Sequence, residues 1–186
     1  MLHKDLINQF SQLDNAISKL APLMPTLKVL LKGGNEELVP KYLNDAINGC
    51  NVLFALMQNM IATLKKIHGD CSIRLNQLSA LFSNSPKSFQ TMYFKEYNST
   101  LSELNVAKEK SQELAELLSG LAQQLNQAIK QLEKRDVSLI NELTSTLRVQ
   151  TSVVIANNME RIAESIDRAI NLQNSLVAGF ARAKAA

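Results

Sequence analysis

The chain of 186 residues is 46% hydrophobic and 20% charged, with a formal net charge of +3, six Gly, four Pro, two Cys and no Trp. That apolar share supports a packed core and excludes disorder over the bulk of the chain. Lys65-Lys66 and Lys134-Arg135 are only doublets, so no block reads as a nucleic-acid-binding arm.

Scarce Gly and Pro leave few turns, which implies few, long elements: an all-α fold built as an elongated antiparallel bundle of about four helices, three of them long, with coiled-coil-like packing. The whole of 1–186 reads as a single helical domain. In the first segment Leu6, Phe10, Leu13, Ile17 and Leu20 recur in four-three steps, the pattern of an amphipathic helix. Pro22 and Pro25 interrupt it, because each lacks an amide donor and crowds the preceding turn. Thr26–Leu31 is expected to form a short second helix that stops at Gly33-Gly34, so that 1–31 holds two helices and 32–40 a hinge.

The main helix is predicted over 40–82, with Pro40 in its first turn. Leu43, Ile47, Cys50, Phe54, Met57, Ile61, Leu64, His68, Cys71, Leu75, Leu78 and Phe82 form one unbroken heptad stripe. Ala46, Leu53, Met60, Ile67 and Leu81 widen it, so the helix is expected to pack against more than one neighbour.

Ser83-Asn84-Ser85-Pro86 is the clearest turn, with Ser85 expected as a cap and Pro86 as the first residue of a helix over 86–134. Its stripe is Tyr93, Tyr97, Leu101 and Leu104, a polar stretch at Lys108 and Ser111, then Ala115, Leu118, Ala122, Leu125, Ile129 and Leu132. Lys130, Lys134 and Arg135 complement a helix C-terminus, and Asp136 or Ser138 is expected to cap a last helix over 137–182. The alternative is one continuous helix from Pro86 onward. In the last segment Ile140, Leu143 and Leu147 are out of phase with Ile155, Met159, Ile162, Ile166 and Ala169, so the packing stripe must shift near Gln150–Val154.

Candidate chemistry is sparse. Cys50 and Cys71 occupy core positions about 31 Å apart along one helix, too far to pair. His68 and Cys71 share a face, but His3 is the only other histidine. Glu109, Glu113 and Glu116 are interleaved with Lys108 and Lys110, the pattern of a solvated, salt-bridged face. Lys32-Gly33-Gly34-Asn35 lacks the Lys-Ser/Thr ending of a phosphate loop, and Asn98-Ser99-Thr100 is a glycosylation tripeptide inside a predicted helix. No catalytic residue, metal ligand set or cofactor site is expected.

The residues expected to set partner contacts or register are Leu6, Phe10, Leu13 and Ile17 on the first helix, with His68, Gln150 and Asn157 as polar groups on packing stripes. The expected function is a non-catalytic protein-interaction, scaffold or adaptor module. Its partners are proteins, a second copy of the chain among the candidates, and not nucleic acid. The first helix, joined through the 22–40 hinge, is the element expected to dock on its own chain or exchange onto a partner.

A second class is membrane-surface binding. One amphipathic helix followed by three long ones resembles, in architecture, the membrane-curving dimers of the BAR type. Such proteins need a basic face, which Glu103, Glu109, Glu113, Glu116, Glu160, Glu164 and Asp167 dilute here. A pore or translocator component, or a secretion-system effector or chaperone, stands beside it. The most apolar window, Val52–Leu64, is too short for a bilayer span of about 20 residues. With no apolar block at the N-terminus, the expected location is the cytoplasm or an export route without a cleavable signal.

Overall fold

A computed structural model describes residues 2–34 and 36–185. Among these residues there is no strand: the fold is all-α, with helices α1 (Leu2–Leu20), α2 (Leu23–Gly33), α3 (Val39–Ser83), α4 (Lys87–Met92), α5 (Phe94–Glu133), α6 (Ser138–Gln150) and α7 (Ala156–Ala185). A π-helical turn, Thr151–Ile155, joins α6 to α7 without a loop.

α3 is the central element, with 45 residues and a length of about 68 Å. It packs on α5 along one side and on α1 and α2 along another, the two-sided contact that its wide stripe implies. The line of deepest burial is Ala46, Cys50, Leu53, Met57, Met60, Leu64, Ile67, Cys71 and Leu78. The predicted heptad is therefore rotated: Ile47, Phe54, His68, Leu75 and Phe82 lie half-buried on its flank. With neighbours on both sides, the centre of the buried face falls between two columns of the wide stripe. α5 shows the same rotation, since Thr100, Leu104, Ala107, Ser111, Leu114, Leu118, Leu121, Leu125, Ala128 and Leu132 form its deepest line. The expected polar gap at Lys108 is off that line, and small Ala107 and Ser111 pass through the core in its place.

The predicted helix over 86–134 is broken near its start. Tyr93 leaves helical geometry (φ −108°, ψ 15°) and separates the short α4 from α5. Ser85 does not cap α4; its hydroxyl donates back to the Leu81 carbonyl at 2.6 Å. Pro86 precedes the helix, in extended geometry (φ −58°, ψ 150°). The Gln90 side chain donates to the Phe82 and Ser85 carbonyls at 2.9 and 3.1 Å, tying α4 to the end of α3. The short second helix begins earlier than expected, at Leu23, because Pro25 falls in its first turn, where the missing amide costs no helical bond.

The turn after α5 has neither Gly nor Pro, yet the chain does turn there, and the continuous helix is excluded. Arg135 adopts the left-handed region (φ 63°). The Arg135 amide donates to Leu132 O and the Asp136 amide to Gln131 O, both at 2.9 Å, which is the Schellman arrangement with arginine in glycine's usual place. Asp136 then accepts from the backbone amide of Ser138 at 3.0 Å and from its hydroxyl. These two bonds hold the Asp136 carboxyl below its ordinary pKa.

The phase shift near Gln150 takes physical form in the π turn. Leu147, Thr151, Ile155 and Met159 are all buried at successive steps of four. An ordinary helix would rotate such a series off the packing face, and the wider turn keeps it there.

Candidate functional site

α1 lies against α3, α6 and α7. Leu6, Leu13, Ile17 and Leu20 are fully buried, and Phe10 is half-buried. Burial of each such aliphatic side chain contributes about 2 kcal/mol, so the apolar face expected to meet a partner is already committed to this chain's own core. Close approach is visible where α1 ends: a Cβ on Gly49 would stand 3.0 Å from Leu20 Cδ1. At its other end His3 is buried, and its Nε2 lies 2.9 Å from Asp167 Oδ1 on α7.

The three polar candidates fall on different faces. His68 is half-buried and lines a groove between α3 and α5 with Asn105, Lys108, Glu109, Gln112 and Glu113. Gln150 is half-buried at the π turn, and its Oε1 is shielded from solvent with no donor. Asn157 is exposed about two turns beyond. The π turn thus brings Gln150 and Asn157 onto one stretch of helix and leaves His68 elsewhere. Beside them Val149 and Val153 are 63% and 52% exposed, and Val154 is also open to solvent. These valines form an apolar outer surface that the packing pattern alone does not reveal, because they lie off both stripes.

A second surface lies where α3 ends. Phe82, Phe89, Tyr93, Phe94, Tyr97 and Phe180 gather six of the chain's nine aromatic residues there. Phe82 stacks on Tyr97 with centroids 3.9 Å apart and planes 2° from parallel, and Phe89 meets Phe180 edge-on at 5.6 Å. Phe89 also packs against Tyr93 at 4.7 Å. Phe94, the outermost of the six, is 60% exposed, and Met92 is 71% exposed. The sequence did carry a signal for this end: no Asp or Glu occurs between Asp70 and Glu96, nor after Asp167.

Both cysteines lie in the core. Burial pushes the Cys50 thiol up to about 12. Burial, with the Asp70 charge adding to it, pushes Cys71 up to about 11. Both thiols are free, and neither is a ready thiolate. Among the described residues no three His, Cys, Asp or Glu side chains converge as a metal set would.

By length and composition α3 is the one described helix apolar enough to cross a membrane. The window read as too short, Val52–Leu64, is thus part of a longer apolar stretch. Here that helix forms the centre of the packed core. The class of protein is therefore an all-α, helix-packed one. No family model, curated protein or solved structure matches the chain.

Proposed function

We propose that the protein is a non-catalytic interaction module, an antiparallel bundle with coiled-coil-like packing that offers a protein partner the valine surface of its π turn. The antiparallel order is supported by contacts along the helices. Phe82 meets Tyr97 at one end of α3, while His68, further back, faces Asn105 to Glu113 further on. Likewise Glu103 pairs with Arg168 at 3.7 Å, and Tyr93 accepts from Arg182 at 3.5 Å.

The observation that carries the reading is Val149, Val153 and Val154 exposed together where the helix widens into the π turn. β-Branched side chains lose little rotamer freedom when covered, and π turns recur at functional positions. Covering three valines contributes about 4 kcal/mol, so neighbouring outer positions of α6 and α7 must add area for a stable complex. The buried, protonated thiols and the engagement of His3 with Asp167 support a non-catalytic role.

The test is a photo-crosslinking residue placed at Val153, with Val29 as a control of comparable exposure on α2. Adducts at 153 that are absent at 29, and lost when Val149 is changed to Glu, support the surface. Equal labelling at the two positions, or none at 153, removes it.

A further inference from the structure

We infer that the aromatic end of the bundle docks on an anionic lipid bilayer surface. The fold gathers charge there from two distant parts of the chain. Segments 75–102 and 169–186 together hold four Lys and Arg against one acid, Glu96, a net charge of +3 that equals the formal charge of the whole chain. The rest of the protein is therefore neutral in sum, and the excess of cations is concentrated at this end. The two segments meet through Phe89 on Phe180 and Tyr93 against Gly179.

All four cations, Lys87, Lys95, Arg182 and Lys184, are exposed, and none makes an ion pair among the described residues. Lys184 sits with its ammonium 5.4 Å from the centre of the Phe180 ring. Met92 shares a groove with Arg182 and Phe94 shares one with Lys87, and these two are the most exposed large apolar side chains of this end. Apolar tips beside unpaired cations match an interface in which lipid phosphates lie above acyl chains: Phe and Met enter, and lysines stay at headgroup level. A single nucleic-acid strand is served less well, because the remaining rings stack on one another. A BAR-like concave face plays no part in this; contact is through one end. The surface is distinct from the valines of the π turn, so the two readings stand or fall separately.

The experiment is co-sedimentation of the full chain with phosphatidylcholine vesicles containing 30% phosphatidylserine, and with phosphatidylcholine alone. Binding is expected only to the anionic vesicles, and 0.5 M salt should abolish it. Neutralising two cations in Lys87→Gln/Lys184→Gln should weaken it about 30-fold. Replacing the apolar tips in Met92→Ser/Phe94→Ser should weaken it about tenfold or more. Circular dichroism checks that each variant remains folded. Lys28→Gln/Lys32→Gln, which neutralises two cations at the opposite end, should leave binding unchanged. Failure to sediment with anionic vesicles at low salt, equal loss in the Lys28/Lys32 control, or tip-dependent binding of a single-stranded oligonucleotide instead of vesicles would each overturn the inference.

Discussion

Gly179 is the position where the structure makes its sharpest energetic claim. A Cβ there would stand 2.5 Å from Tyr93 Cζ and 2.7 Å from its hydroxyl oxygen. Carbon atoms in good contact lie about 3.5–4.0 Å apart, so alanine would overlap the ring by about 1 Å. The ring has limited room to yield, since it packs on Phe89 at 4.7 Å and its hydroxyl accepts from Arg182 at 3.5 Å. Two effects then oppose each other. Alanine in a helix is favoured over glycine by about 1 kcal/mol, and overpacking costs about 1–3 kcal/mol. Overpacking wins, and Gly179→Ala should destabilise the protein by about 1 kcal/mol. With the ring removed in Tyr93→Ala, the overlap vanishes and only the helical preference remains. The same Gly179→Ala change should then stabilise by up to about 1 kcal/mol, a coupling of about 2 kcal/mol. Urea unfolding of the four proteins, followed by far-ultraviolet circular dichroism, measures all the terms. If Gly179→Ala changed stability with the same sign and size in both backgrounds, the close approach of α7 to Tyr93 would be refuted.

Arg135→Gly should stabilise the protein by about 0.5 kcal/mol. It removes the left-handed strain of a residue with a Cβ, less the entropy gained by the unfolded chain and the exposed Glu36 pair, as thermal unfolding will show. Leu13→Ala, within the face that α1 commits to the core, should cost about 3 kcal/mol in urea unfolding; a cost below about 1 kcal/mol would mean α1 is not held as described. Ser165→Ala should be neutral or stabilise by up to about 1 kcal/mol, because the buried Ser165 hydroxyl has no partner to lose. Stability should fall as pH rises above about 9 toward 12, since the unfolded chain releases the Cys50 and Cys71 protons first while the folded protein retains them. The loss should be much reduced in Cys50→Ala/Cys71→Ala, compared by urea midpoints at pH 8 and pH 10.5.

Local covalent rules carried much of this fold in the sequence. Four-three spacing dictated helices, and their amphipathic faces dictated helix-on-helix burial. Pro22, Pro40 and Gly33-Gly34 marked where the chain leaves or enters a helix, because proline lacks an amide donor and glycine takes the left-handed cap without strain. Even the π turn was foreshadowed, since two stripes out of phase on one segment require an extra residue between them.

What depended on other parts of the chain was not legible. Which column of a wide apolar stripe becomes the innermost is set by where α1 and α5 lie around α3, and no local pattern encodes that. The Arg135 turn was expected from Lys130, Lys134 and Arg135 and from an Asp136 or Ser138 cap; what no Gly or Pro marked was its left-handed residue, which backbone hydrogen bonds hold in place. Leu6, Leu13 and Ile17 look equally suited to a partner or to a core until their neighbours are known. The basic aromatic end illustrates the division most plainly. Each half is unremarkable along the chain, and only tertiary packing places the end of α7 against α4 and the start of α5, so that their cations and rings share one surface. Periodicity reports which face of a helix is apolar, because the helix repeats within a few residues. Which faces meet is decided across a hundred residues, by burial summed over the whole molecule.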